Sequence, residues 1–185
     1  CGMQDEHIKS LCQMNISHVF HCAAAVSFSQ SLEDAAVSNI TSCLQLHQLT
    51  KRLRRQDAKF VYISTAFVHG GNTGTQSKPL TEDLFSLHPY NPMELYKSML
   101  GSQSYASAAM NELGFPNTYT FSKCVCEHLL LQQQANEEGV ETVIIRPSIV
   151  GPSVQEPYEG WAGEKPSTIV LFVIFGIQTI QNLMS

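Results

Sequence analysis

KFVYIS, residues 59–64, is the stretch on which the fold turns. After Lys59 the residues Phe60, Val61, Tyr62 and Ile63 follow without a polar interruption. A strand with one wet face alternates polar and apolar residues. This run is β-branched or aromatic and nearly continuous, which suits a parallel strand covered on both faces. Two runs of the same kind lie on either side of it, HVFHCA (18–23) and TVIIRP (142–147).

Helical patterns fill the intervals. Ser31 with Asp34 three residues on resembles an N-terminal capping arrangement, and Ala36, Ile40 and Leu44 follow at helical spacing. After Pro116 and Asn117 a second helix is expected from about Tyr119 to Ala135. Its apolar stripe is Phe121, Val125 and Leu129, and Gly139 is its stop signal. Strand, helix, strand, helix, strand is the order of a doubly wound α/β sheet. The piece 70–117, rich in Gly, Pro, Ser and Asn, departs from that rhythm and reads as a long loop that builds or covers a site.

At 185 residues the chain is about one domain and long enough for a proper core. Its net charge of −5 gives no reason to expect a nucleic acid partner, and the cluster Lys51, Arg52, Arg54, Arg55 reads as a solvated helix end. The six cysteines contain no C-x-x-C pair and no zinc spacing, so they read as reduced, mostly buried thiols in a cytosol-facing protein. The seven histidines are scattered, and no metal site is expected. The apolar run from Ile169 to Ile177 is nine residues long, short of the roughly 20 a spanning helix needs. It reads as a buried or membrane-surface helix.

Three features fall at the strand ends, where such a sheet places its ligands. Ala23, Ala24 and Ala25 after the first strand let a flat ring or ribose approach the backbone, or serve close helix–sheet packing. Ser64 and Thr65 end the second strand and alternate in direction, so only one of them can serve a site. Pro147 ends the third, fixing the backbone and removing a donor. Between the second and third strands, Tyr119 and Lys123 stand four apart and share a helix face. An ammonium there would lower the phenol's pKa and suit it to donate a proton to a developing alkoxide. With six tyrosines and seven lysines in the chain the spacing alone is weak evidence, and a plain contact on a helix face would give it too. Strand-end hydroxyl, Tyr-x-x-x-Lys and Pro loop in that order are far rarer than any one part.

In VFHCAAAVSF (19–28), VYISTAFVHG (61–70), NTYTFSKCVCEHLLL (117–131) and VIIRPSIVGPSVQEPYEGW (143–161) the chain resembles extended short-chain dehydrogenases/reductases. Within them it is similar to the fatty acyl-CoA reductase, or male-sterility, group and its thioester-reductase relatives. The resemblance implies a partial Rossmann-type parallel sheet comprising strands four to six of the fold, with the first βαβ half missing. Residues 1–163 would be the C-terminal part of an NAD(P)-binding domain, and 164–185 the start of a substrate-side helical segment.

Tyr119 is then the implied catalytic acid, Lys123 its partner and a holder of the nicotinamide ribose, and Thr65, not Ser64, the hydroxyl facing the substrate carbonyl. Ala23 and Ala24 would line the cofactor, and Pro147, Ser148 and Ile149 would flank the nicotinamide. Asn39 falls where the family often has an Asn. The implied reaction is NADPH-dependent reduction of long-chain fatty acyl-CoA to the alcohol through the aldehyde, with membrane-surface association at the endoplasmic reticulum or peroxisome. The family's glycine-rich turn has no counterpart, since Gly70, Gly71 and Gly74 have the wrong spacing and follow the wrong strand. A sugar-nucleotide epimerase or other extended reductase, and an inactive fragment, are the alternative expectations.

Overall fold

A computed structural model describes residues 3–71, 74–75, 79–135 and 140–162. The chain separates into two compact units, residues 1–146 and 147–185. In the first unit α1 (Asp5–Gln13) precedes β1 (His18–His21). A long helical stretch follows, made of α2 (Leu32–Ala35), a π-helical turn (Ala36–Thr41) and α3 (Ser42–Lys51). Then come β2 (Lys59–Ile63), α4 (Pro92–Leu100), α5 (Ser104–Glu112), α6 (Thr118–Ala135) and β3 (Thr142–Ile145).

The three expected strands form one parallel sheet in the order β1-β2-β3. Val19 aligns with Phe60 and His21 with Tyr62, and Tyr62 in turn aligns with Ile144. Phe60 and Tyr62 are fully buried against Ile40 and Cys43 of the long helical stretch and Phe121, Val125 and Leu129 of α6.

The expectation that both sheet faces are covered holds only in part among the described residues. Along the other face Val61 of the central strand is buried, but Phe20, Val143 and Ile145 are 62%, 41% and 44% exposed. The chain crosses from β1 to β2 to β3 in one direction. Crossovers of a single hand therefore place their helices on a single face. The near-continuous apolar pattern suits two covered faces, and among the described residues the second is covered only at the central strand.

The long piece 70–117 is also not all loop, because α4 and α5 lie within it. Asn91 caps α4 by accepting from Met93 N at 2.9 Å and Glu94 N at 3.1 Å, with Pro92 in the first turn. That signature was legible in the sequence. The expected cap at Ser31 is present, its hydroxyl accepting from Asp34 N at 3.0 Å. Helix α6 is buried on nearly every side from Thr118 to Leu130 rather than along one stripe. It runs between the sheet, α4 and the π-helical turn, so it has no wet face to spend on charge. The stop signal at Gly139 and the apolar run 169–177 lie outside the described residues. Among the described residues no helix is long and apolar enough to cross a membrane.

Candidate active site

Helix α6 begins where the strands end. Asn117 caps it, its Oδ1 accepting from Thr120 N at 2.9 Å. In its first turn Tyr119 stands half-buried, and the nearby Thr65 hydroxyl acts to lower the pKa of its phenol. Ser64 continues the ladder, its N–H donating to Ile145 O at 2.8 Å, and its Oγ is buried with no hydrogen-bond partner among the described residues. Of the two strand-end hydroxyls, then, Thr65 acts on the phenol.

Lys123 lies one turn further along the same helix and is 1% exposed. Its Nζ donates to Ile63 O at 2.8 Å and stands 4.7 Å from the centre of the Tyr62 ring. Burial lowers its pKa, while Cys126, Cys43 and Glu127 pull it back up. The carbonyl and the ring face hold the ammonium beneath the site. The phenol is tuned differently from the sequence expectation. Burial raises Tyr119 above its usual value, and the Thr65 hydroxyl, not the ammonium, draws it back down.

The loop after β1 is joined to this pair by a residue that sequence reasoning had placed only loosely. Asn39 sits fully buried in the π-helical turn. Its Oδ1 accepts from Ala25 N at 2.8 Å, and its Nδ2 donates to Ala25 O at 3.2 Å and Ser122 Oγ at 3.0 Å. Ser122 Oγ donates in turn to Tyr119 O at 2.8 Å. A widened helical turn at a functional site is a recurrent device, and here it swings an amide between two elements. Ala23 is exposed and Ala24 half-buried, so the pair leaves open backbone at the end of β1. These alanines and the phenol could line the nicotinamide-ribose end of a dinucleotide, with the buried Lys123 beneath them.

The glycines of the next loop do not fit the phosphate end. Gly70 has φ +59°, and a Cβ there would come within 2.4 Å of Leu113 O. Gly71 meets the backbone of Gly114. They let the loop press on the turn between α5 and α6, as a turn-rich loop would. Pro147, Ser148 and Ile149 head the second unit; Pro147 is half-buried, and Ser148 and Ile149 are exposed. No grouping of His, Cys, Asp or Glu suited to a metal occurs among the described residues. Cys43, Cys124 and Cys126 are buried thiols as expected, but Cys22 is exposed.

Two charged residues were missed. Glu127, fully buried in α6, receives Arg146 Nη2 at 2.6 Å and Nε at 2.9 Å. Arg146 Nη1 also donates to Glu82 O and Asp83 O, and His128 Nε2 lies 2.7 Å from Phe85 O. Together they fasten the segment 82–85 to α6 and the end of β3. A carboxylate inside an apolar helical pattern was the signal. A cavity of about 580 Å³ runs from Ala66 and His69 past Arg146 to Leu131. It is lined by neither Tyr119 nor Thr65, so it is separate from that pair.

Comparison with known proteins gives the family. The chain matches a family of NAD-binding domains, described as Male sterility protein, over residues 1–185. Fatty acyl-CoA reductase 1 of Gallus gallus is 31% identical over 167 residues, covering 87% of this chain and 30% of the relative. The Putative fatty acyl-CoA reductase CG8303 of Drosophila melanogaster is 30% identical over 154 residues, covering 82% of this chain and 27% of the relative. The chain thus spans less than a third of either.

Among solved structures, a thiolation-reductase di-domain from an archaeal non-ribosomal peptide synthetase superposes with TM-score 0.56 at 19% identity, over 96% of this chain and 40% of that one. The NADPH complex of RMD from Pseudomonas aeruginosa gives 0.50 at 23% identity, over 82% and 44%. Those likenesses establish the Rossmann-type fold of reductases and epimerases. With its parallel sheet, strand-end hydroxyl and Tyr-Lys helix, and with the family match running its whole length, the chain belongs to the male-sterility family of NAD-binding reductases.

Proposed function

We propose that this chain carries the proton-donating part of a site that reduces long-chain fatty acyl-CoA with NADPH, first to the aldehyde and then to the primary alcohol. The observation that carries the reading is Tyr119 at the start of α6, with Lys123 on the same helix donating to Ile63 O at the end of β2, next to the strand-end hydroxyl of Thr65. The nicotinamide, when bound, supplies the hydride. Ala23 and Ala24 would lie along it, and Lys123 would hold its ribose.

The residues of the chain handle the oxygen. The thioester carbonyl accepts hydrogen bonds from the Tyr119 and Thr65 hydroxyls, which stabilise the charge that develops there. As the carbon–sulfur bond breaks, CoA leaves as the thiolate and the carbonyl re-forms as an aldehyde. In the second reduction Tyr119 gives its proton to the alkoxide, and the resulting phenolate is stabilised by the Thr65 hydroxyl. A raised phenol pKa keeps Tyr119 protonated, the form the step requires. The action is assigned to a cytosol-facing membrane surface of the endoplasmic reticulum or peroxisome, where long-chain thioesters partition.

The test is NADPH oxidation and thiol release by the whole protein that carries this chain, with hexadecanoyl-CoA compared with UDP-sugars; the 185 residues alone are expected to be inactive. Hexadecanoyl-CoA turnover that falls about 10²–10⁴-fold in Tyr119→Phe supports the reading. Near-normal turnover in that variant, or a preference for the sugar nucleotides, sinks it.

A further inference from the structure

The loop leaving β1 is tied down at both ends and apolar in its middle. At one end Asn39 grips both the N–H and the C=O of Ala25. At the other, Gln30 O accepts from Thr118 Oγ1 at 3.1 Å, and Ser31 is already engaged as the cap of α2. The intervening residues are Val26, Ser27, Phe28 and Ser29. The two serine hydroxyls lie 3.2 Å apart and bond each other. Val26 and Phe28 remain 68% and 62% exposed. A free loop would fold such side chains away from water, but the ties at Ala25 and Gln30 prevent that collapse.

The location gives this exposure a use. The Phe28 ring centre is 6.1 Å from that of Tyr119, tilted by 45°. A ligand whose carbonyl oxygen reaches the Tyr119 phenol has its next atoms beside Phe28. Residues 22–31 contain no charged side chain, so a phosphate or sugar acid gains nothing there. A hydrocarbon chain gains by covering apolar surface that is otherwise wet.

We infer that Val26 and Phe28 form a wall against which the acyl chain of the thioester packs immediately next to its carbonyl. The inference rests on the acyl-CoA reading and names the residues that select the apolar half of that substrate. The ties through Asn39 and Thr118 pre-organise the wall, so binding does not have to order it.

Calorimetric titration of the protein with dodecanoyl-CoA and with free CoA tests it without requiring turnover. Phe28→Ala is expected to weaken dodecanoyl-CoA binding about tenfold and to leave CoA binding unchanged. Phe28→Leu should recover most of the loss, and Val26→Ser should repeat part of it. Because Phe28 is largely exposed, unfolding midpoints near that of the unaltered protein are expected for all three variants. Equal losses for CoA and dodecanoyl-CoA, unchanged dodecanoyl-CoA binding in Phe28→Ala, or no binding to the unaltered protein would each overturn the wall. Binding that tracks Phe28 supports it even where NADPH oxidation is absent, and then only the reductase reading fails. Turnover of dodecanoyl-CoA that ignores Phe28→Ala removes the wall and leaves the reductase standing.

Discussion

Asn39 holds Ala25 as a neighbouring strand would, taking its N–H at 2.8 Å and giving a proton to its C=O at 3.2 Å. The same amide reaches Ser122 Oγ at 3.0 Å, in the turn that carries Tyr119. One side chain thereby fixes the loop after β1 and the turn of Tyr119 relative to each other. Asn39→Ala leaves the backbone of Ala25 without its partner in a buried setting. The expected loss is about 2–4 kcal/mol of folding stability, read by urea unfolding. Asn39→Asp keeps the acceptor for Ala25 N but turns a carboxylate oxygen toward Ala25 O in a buried setting, so at neutral pH it should be at least as unstable as Asn39→Ala.

Thr65 affects the phenol in a way that can be measured without turnover. Its hydroxyl lowers a Tyr119 pKa that burial has raised. Thr65→Val removes that hydroxyl while keeping the shape, so the phenol should titrate higher still. Absorbance titration of tyrosinate, with Tyr119→Phe to identify the group, reads the shift directly. Turnover of a long-chain acyl-CoA should fall about ten- to a hundredfold, less than in Tyr119→Phe, since an oxyanion donor is lost and the acid is kept. A phenol that titrates at the same pH in Thr65→Val would show that the two hydroxyls do not interact.

The legible part of the molecule was the part governed by local patterning. Three apolar runs gave the three strands, and Ser31 with Asp34 gave the cap of α2. Tyr119 and Lys123 fell in one helix because their spacing and the Asn117 turn are both local features. Asn91, Pro92 and Glu94 carried an equally local signal for α4, hidden by the loop-like composition around them. What could not be read depends on distant contacts. The π-helical turn that aims Asn39 leaves no trace in residue spacing, and Glu127 finds its cation 19 residues away. The direction of the Lys123 ammonium, toward Ile63 O and Tyr62 rather than the phenol, is likewise set by packing.

The pair of Glu127 and Arg146 offers a second stability test. Glu127 has no exposed side-chain surface, and Arg146 closes over it at 2.6 Å while also holding Glu82 O and Asp83 O. Arg146→Met strands a buried carboxylate and should cost about 3–5 kcal/mol. Adding Glu127→Leu removes the stranded charge, so the double variant should regain most of that loss. If the double variant is as unstable as the single one, the contacts to residues 82 and 83 are the stronger part. Amide hydrogen exchange of Glu82 to Phe85 would then show the segment released in both.

Histidines set the response to acid. Burial, and then the Lys123 charge, lower the pKa of His21 below its usual value. Burial also lowers His47, and burial followed by Arg146 lowers His69. In the unfolded chain these groups take up protons near pH 6.5. Below that pH, and until the lowered native values are reached, the unfolded state binds more protons than the native one. Stability contributed by the neutral rings is therefore present above about pH 6.5 and lost as pH falls below it. His21 aligns with Tyr62, stacks on the rings of Phe60 and Tyr62, and buries an Nε2 with no partner among the described residues. Phenylalanine can keep the stacking and cannot titrate. His21→Phe should match or exceed the parent's stability at pH 7.5, and its advantage should widen at pH 5, as read by urea midpoints at the two pH values. An equal difference at both would mean that His21 already carries its proton in the native protein at pH 5.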